Sequence, residues 1–230
     1  MRRALPLLAA AALACSNVTD VGNGVIALDV KVPSRLEVEV GDTLQLSARA
    51  LDRNGDSVAA EITWSTPDTT VSVTPATGLV AGLAPGTGRV QAVEGTLVSE
   101  FLTFTVLAHA DSLALPAGSA VTVAPDAASS PPLAAQLLGP VGVSLAGHRV
   151  IYTVVDPPLA NAAVLSVTFP NGGFADTVTT AADGTPTAPV TLNRVPGVTP
   201  PPSAGVQITA LRPSGTAIPG SGQSITVTFQ

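Results

Sequence analysis

The chain has 230 residues and a formal net charge of −6; 46% of its residues are hydrophobic, only 11% are charged, and glycine and proline number 21 each. With Lys31 as its single lysine, it lacks the clusters of Lys and Arg that bind nucleic acid or anionic lipid without sequence specificity, which excludes those partners. Low charge together with frequent Val, Thr, Gly and Pro favours short strands and tight turns over amphipathic helices, so we predict an all-β protein.

Residues 1–14 are predicted to be an export signal. Arg2 and Arg3 form a basic start, residues 4–13 are apolar, and small residues lead to Cys15, the only cysteine in the chain. The tail Ala-Leu-Ala-Cys resembles a bacterial lipobox, with Ala12 where leucine is usual. The resemblance implies that the Cys15 thiol receives a diacylglyceryl group and becomes the new N-terminus. The alternative is a plain secretory signal that leaves a free thiol.

The location of the mature protein follows from the same residues. Ser16 after the cysteine implies an outer-membrane or cell-surface lipoprotein by the sorting rule of enteric bacteria, with a secreted or periplasmic protein as the alternative. Residues 15–24 are small and polar and are predicted to be a flexible tether. With its one cysteine lipidated, the mature fold would have no disulfide and would depend on core packing and strand pairing alone.

Apolar and polar residues alternate from residue 25 onward, which predicts strands. Within residues 36–40 the even positions are apolar and the odd positions are Glu37 and Glu39, which are expected to face water. Residues 52–56 contain Asn-Gly and predict a hairpin loop. Further alternating runs at 44–50, 62–64, 71–73, 79–83, 90–93 and 101–106 bring the count to about seven or eight strands, as in an immunoglobulin-like β-sandwich over residues 25–107.

Five motifs within this segment resemble the group 2 bacterial Ig-like domain. They are Val-Gly-Asp-Thr-Leu-Gln-Leu at 40–46, Asp-Arg-Asn-Gly at 52–55, Thr-Trp-Ser at 63–65, Gly-Leu-Val at 78–80 and Ala-Pro-Gly-Thr at 84–87. The resemblance implies that Trp64 fills the space between two sheets. It also implies that Gly78 and Gly86 lie in turns that require a positive φ angle.

Residues 108–111 are predicted to be a hinge into a second Ig-like β-sandwich that spans residues 108–230. Strands are predicted at 120–124, 133–138, 150–155, 164–169, 177–180, 188–192, 206–211 and 224–229. Ala-Gly-His-Arg-Val at 146–150, Thr-Thr-Ala-Ala-Asp-Gly at 179–184 and Val-Gln-Ile-Thr-Ala at 206–210 resemble the group 1 repeats of invasins and intimins. The long proline-rich loops at 125–132 and 196–204 depart from that pattern.

The few reactive side chains of the sequence predict no catalytic, cofactor or metal site. Ser144 lacks the closing glycine and the helix of a nucleophile elbow, and His148 is too near in sequence. With Cys15 lipidated, His109 and His148 are the only remaining nitrogen ligands, which are too few for a zinc site. Asp52, Asn54 and Asp56 imitate the start of a calcium loop, but Ser57 stands where that loop has its glycine and Thr63 where it has a bidentate Glu. An Asn-Gly hairpin explains the same residues.

These observations predict a protein of the cell envelope or cell surface that is not an enzyme. It is anchored to the membrane by its N-terminal lipid, and its Ig-like domains serve as an adhesion or binding module or as a spacer, with a protein or polysaccharide as the possible ligand class. The alternative is a purely structural envelope protein without a ligand of its own.

Overall fold

The computed structural model describes residues 24–156, 167–199 and 202–230, and within these ranges it contains no helix. The all-β prediction is therefore confirmed. The export signal and Cys15 lie outside the described residues. The strands are β1 (Ala27–Lys31), β2 (Glu37–Glu39), β3 (Thr43–Gln45), β4 (Ser47–Leu51), β5 (Ser57–Val58), β6 (Thr63–Ser65), β7 (Val71–Val73), β8 (Leu79–Gly82), β9 (Gly86–Glu94), β10 (Leu97–Val98), β11 (Leu102–Leu107), β12 (Ser112–Ala114), β13 (Ala120–Val123), β14 (Gln136–Leu138), β15 (Arg149–Asp156), β16 (Val167–Thr168), β17 (Ala175–Thr179), β18 (Asn193–Arg194), β19 (Ser203–Leu211) and β20 (Gln223–Phe229).

Strands β1 to β11 build one hydrophobic core, and we call residues 24–107 the first β body. One sheet has the order β10-β9-β11-β2, with β6 also paired to β9. Two three-stranded sheets, β1-β4-β5 and β3-β8-β7, complete the body. The short strand β2 runs parallel to β11, so it brings the chain's early residues beside the strand that leaves the body. The buried core consists of Val38, Leu46, Trp64, Val71, Val80, Val90, Ala92, Leu102, Phe104 and Val106.

Strands β12 to β20 surround a separate core, and we call the described residues from 108 onward the second β body. Its main sheet has the order β13-β20-β19-β15-β17, and the pairs β12-β14 and β16-β18 lie apart from it. Strand β19 alternates buried and half-buried residues along its whole length, which places Ile208 and its even-numbered neighbours in the core. The largest fully buried side chains here include Tyr152 and Phe169.

The strand predicted at residues 188–192 is wrong. Those residues have no regular strand structure, and β18 begins only at Asn193. Pro189 has no N–H group for a ladder. The segment instead bonds irregularly to the loop before β14: Val190 accepts a hydrogen bond from the Leu133 N–H at 2.8 Å, and Leu192 exchanges bonds with Ser130. The apolar positions Val190 and Leu192 are nevertheless buried, so the alternation identified the core residues but not the hydrogen bonding.

Candidate functional site: the junction between the two β bodies

Glu39 ends β2, and its side chain is completely buried. The alternation of residues 36–40 predicts that this carboxylate faces water, and that prediction is wrong. The second β body covers this face of the strand. Oε1 of Glu39 accepts a hydrogen bond from the Ala110 N–H at 2.7 Å and another from Nη1 of Arg212. Both donors, Ala110 and Arg212, belong to the chain after the first body, so this acidic side chain pairs across the junction.

Arg212 supplies the positive charge of this junction. It directly follows β19, and only 11% of its side chain is exposed. Its Nη2 donates to the Ala110 carbonyl at 3.0 Å, so the guanidinium holds the connecting segment as well as Glu39. A tight turn fixes its backbone, since its N–H donates to Thr216 O at 2.8 Å and its carbonyl accepts from the Gly215 N–H at 2.9 Å. The side chain is therefore held at both ends.

The hinge predicted at residues 108–111 is a packed connector. Ala108 and Ala110 are buried and belong to the core of the second β body. His109 is half-exposed, with Nδ1 3.2 Å from Oε1 of Glu39 and Nε2 3.7 Å from Oδ1 of Asp111. Because the Ala110 peptide group is bonded to both Glu39 and Arg212, rotation about the connector would break buried hydrogen bonds.

Two further contacts join the bodies beside the ion pair. Oγ of Ser214 donates to Oδ2 of Asp42 at 2.8 Å. Leu107 packs against Gly147 so closely that a Cβ atom on that glycine would lie 3.2 Å from Cδ2 of the leucine. The junction therefore combines a buried charge pair, an exposed hydroxyl bond and an apolar contact.

Burial dominates the electrostatics of Glu39. It raises the pKa of the carboxyl above its ordinary value, while the Ala110 N–H, Arg212 and His109 pull the pKa back down and Asp42 raises it. Oε2 of Glu39 has no hydrogen-bond partner within the described residues. An enclosed ion pair of this kind adds little net stability but strongly penalises any arrangement that separates its members. The pair thus specifies the relative placement of the two bodies.

The ring of Trp64 lies in the core of the first β body, and it leaves room only for glycine at position 78. Its side chain is buried, and Gly78 lies against the ring with a φ of +72°. A Cβ atom at position 78 would come within 2.6 Å of the indole Nε1. Glycine is required here for both its backbone conformation and its lack of a side chain. Gly86 also has a positive φ, +144°, but it is the first residue of β9 and pairs with Val106.

The family comparison decides what the first β body is. Residues 29–106 match the model of the bacterial Ig-like domain, group 2. This segment is a group 2 bacterial Ig-like domain. The match ends one residue before the last residue of β11, so the second β body lies outside it. No curated protein sequence matches the chain.

Several solved structures are similar to the chain as a whole. The adhesin InvE of Yersinia pseudotuberculosis is 17% identical with a TM-score of 0.41, and the similarity covers 91% of this chain and 61% of InvE. The fibronectin(III)-like modules of Clostridium thermocellum CbhA are 15% identical, with a TM-score of 0.43 and coverage of 89% and 94%. The D00-D0 domain of intimin is 17% identical, with a TM-score of 0.33 and coverage of 89% and 100%. TM-scores below 0.5 carry no information about function.

The loop at residues 52–56 of the group 2 domain is a hairpin closed by its own side chains. Oδ1 of Asp52 accepts hydrogen bonds from the backbone N–H groups of Asn54 at 2.8 Å and Asp56 at 2.9 Å. These bonds lower the pKa of Asp52. Gly55 has a φ of +84°, as the Asn-Gly turn requires. Oδ1 of Asp52 is thus already bonded within the loop.

Neither Ser144 nor His148 is a member of the junction's ion pair. Oγ of Ser144 accepts a weak hydrogen bond from the Ala146 N–H at 3.4 Å. His148 is buried, burial lowers its pKa, and its Nε2 has no partner in the described part of the chain. The part of the chain that the structure describes contains no group of three or more His, Cys, Asp or Glu side chains that could hold a metal ion.

Two more features concern attachment to a membrane. Cys15, the predicted lipidation site, lies outside the described residues. Among the residues that the structure describes, no helix has the length and hydropathy to cross a membrane.

Sequence reasoning missed the residues that make the junction. Arg212 stands in an Arg-Pro-Ser-Gly run that indicates only an exposed turn. Ala110 contributes its backbone, which no side-chain pattern reveals. The alternation did not distinguish Glu39 from Glu37, since both stand between apolar neighbours.

Proposed function

We propose that this protein is a lipid-anchored spacer of the cell envelope, with domains at residues 25–107 and 108–230 held as one stiff unit. The observation that carries the proposal is the buried pair of Glu39 and Arg212. Two Ig-like modules on a free hinge would sample many orientations and transmit little direction. A charge pair enclosed between them favours one orientation, which is what a spacer needs in order to hold its far end away from its point of attachment.

Attachment would begin at Cys15. A single acyl chain binds membranes only weakly, so stable anchoring requires the additional acyl chains of a processed lipoprotein. The tether of residues 15–24 would then have a root-mean-square reach of roughly 17 Å before the first strand. The group 2 domain would stand nearest the membrane, and the second β body would stand beyond it.

A purely structural role without a ligand is the rival function, and the distribution of aromatic rings favours it. Trp64, Phe104, Tyr152 and Phe169 are buried, and Phe101 is the one aromatic residue among the exposed large hydrophobics of the described chain. Protein-binding surfaces commonly depend on exposed aromatic anchors. Any recognition by this protein would therefore rest on polar groups and loops.

Two measurements on cells that produce the full chain test the proposal. Mass spectrometry of the membrane-extracted protein should find the N-terminal residue to be Cys15 carrying acyl chains. Protease treatment of intact cells should release peptides of the second β body if the spacer faces outward. An unmodified thiol at Cys15 would contradict the anchor, and complete protection from protease would contradict surface display while leaving a periplasmic spacer.

A further inference from the structure

An apolar groove lies along one edge of the first β body. It runs between β1, which pairs with β4, and β10, which pairs with β9, and each of these two strands ends its sheet. The groove has a volume of about 430 Å³. Eight of the ten described residues that line it are apolar, and Glu100 is the one charged residue among them. A groove of this composition fits an apolar partner.

Three large apolar side chains of this groove project into solvent. Ile26, Val32 and Val98 are 59%, 58% and 61% exposed. Single exposed hydrophobic residues are common on soluble proteins and need no partner. Three that line one groove form an exposed apolar surface, and such a surface commonly marks contact with another protein or with a membrane. We call these three residues the apolar face.

The apolar face reaches the end of the first body that is opposite the junction. Strand β11 arrives at the junction with Leu107, and β9 begins beside it, since Gly86 pairs with Val106. From there β9 runs for nine residues, roughly 30 Å, away from the junction. Its last residues pair with Leu97 and Val98 of β10. This end of the body is therefore the one that the second β body does not cover.

The chain enters the first body beside the apolar face. The described residues begin at Gly24, and Ile26 of the face follows two positions later. Gly24 is nine positions after Cys15, the anchor of the proposed function. A short flexible tether holds what it carries at an effective concentration of about millimolar, so even a weak apolar contact with the bilayer would be populated.

We propose that the apolar face contacts the lipid bilayer, with Ile26, Val32 and Val98 immersed in its interface. The inference rests on the proposed function, because attachment at residue 15 brings the face to the membrane. It also deepens that function. A stiff unit on a flexible tether would still swing, whereas a unit whose lower end is seated on the bilayer points in one direction.

The charges around the face favour a zwitterionic lipid. Glu100 is exposed at the groove and would repel anionic headgroups, but the ammonium group of a zwitterionic lipid is a suitable partner for its carboxylate. Apolar side chains at such an interface sink about 5–10 Å toward the acyl chains without help from basic residues. The contact therefore agrees with a chain that has a single lysine and a net charge of −6.

The test is the fluorescence of the full chain held at residue 15 on phosphatidylcholine vesicles, with and without bromine on the acyl chains. Bromine quenches a tryptophan that reaches the acyl region. Val98→Trp places this reporter on the apolar face, and the matched control Val141→Trp places it at a fully exposed position of the second body. The buried Trp64 gives the same background in both, measured on the parent. If Cys15 has a free thiol, a maleimide lipid is coupled to it.

We expect bromination to remove about half of the fluorescence that Val98→Trp adds and to leave Val141→Trp and the parent unchanged. Adding Val32→Asp to the Val98→Trp protein should restore the fluorescence, because a carboxylate resists transfer into the interface. Adding Leu83→Asp instead should not restore it, since Leu83 is similarly exposed, at 53%, but does not line the groove.

The proposal is overturned if Val98→Trp and Val141→Trp respond equally to bromine, or if Val32→Asp leaves the quenching unchanged. A blue shift of the Val98→Trp emission that grows with protein concentration in detergent would assign the face to a second copy of the chain and would also overturn it. Because either acyl chains or maleimide can hold residue 15 on the vesicle, this result is separate from the mass spectrometry that tests the anchor.

Discussion

Glu39 and Arg212 stand 173 positions apart and form a buried ion pair that also encloses the Ala110 peptide group. Glu39 is the last residue of β2 in the first body, and Arg212 directly follows β19 in the second. The pair therefore joins the ends of these two strands. It is the contact on which the orientation of the two bodies depends most, because neither charge can be separated from the other without being left in a poorly solvated site.

Replacement of Arg212 by methionine should destabilise the protein strongly. The substitution leaves the Glu39 carboxylate buried with only the Ala110 N–H and the half-exposed His109 beside it, and loss of one member of a buried pair costs about 3 kcal/mol. The free energy of unfolding can be measured in urea by the fluorescence of Trp64, the only tryptophan, which lies in the first body.

The matched control for that substitution is Arg49→Met. Arg49 pairs with Asp29 at 2.8 Å, but both side chains are about half exposed. We expect a change of at most about 0.5 kcal/mol. The double variant Glu39→Leu with Arg212→Met should regain most of the stability lost by Arg212→Met, since it leaves no unpaired charge. Equal effects of Arg212→Met and Arg49→Met would show that the junction is solvated.

The pH dependence of stability should reveal the buried carboxyl. Burial raises the pKa of Glu39 in the folded protein, so the native state holds this proton more tightly than the unfolded chain does. Stability from this group therefore increases as the pH falls through the folded pKa, and the increase is complete at the unfolded value. Relative to Glu39→Gln, the parent protein should therefore gain stability as the pH is lowered toward the ordinary carboxyl range. If the parent instead loses stability relative to Glu39→Gln as the pH is lowered, the attraction of Arg212 outweighs burial in setting the pKa of Glu39.

Gly78→Ala should be much more harmful than Gly95→Ala. Both glycines have positive φ angles, +72° and +55°, but a Cβ atom at 78 would lie 2.6 Å from the Trp64 indole, whereas nothing lies within 4 Å at 95. Strain alone should cost about 1 kcal/mol at Gly95, and strain with overpacking about 3 kcal/mol at Gly78. Urea denaturation of the two variants measures the difference. Similar losses would mean that the Trp64 ring is free to move away.

Addition of calcium should leave the melting temperature unchanged. The Asp52 carboxylate already accepts two backbone N–H bonds within its hairpin, and coordination of an ion would compete with them. Differential scanning calorimetry with millimolar calcium and with a chelator makes the comparison. A rise in melting temperature that Asp52→Asn removes would establish a calcium site in this loop.

Local features of the fold could be predicted from the sequence because they depend on neighbours in the chain. Period-two alternation and turn residues located most strands. Trp64 and Gly78 each lie within a short sequence motif. The strand expected at residues 188–192 failed because Pro189 and the bonds to the loop before β14 override the alternation.

The junction could not be predicted for a different reason. Alternation tells which face of β2 carries Glu39, but it does not tell whether a second body covers that face. The covering residue comes from a turn after β19, and the connector contributes a backbone N–H that has no sequence signature.

The most direct test of the stiff two-body unit is a distance measurement between the bodies. Spin labels at Thr96→Cys and Asp126→Cys, both exposed, would lie in the first and second bodies, in a Cys15→Ser background that removes the only native thiol. Double electron–electron resonance should give one narrow distance distribution with the intact junction and a broad one with Arg212→Met. A broad distribution with the intact junction would contradict the account.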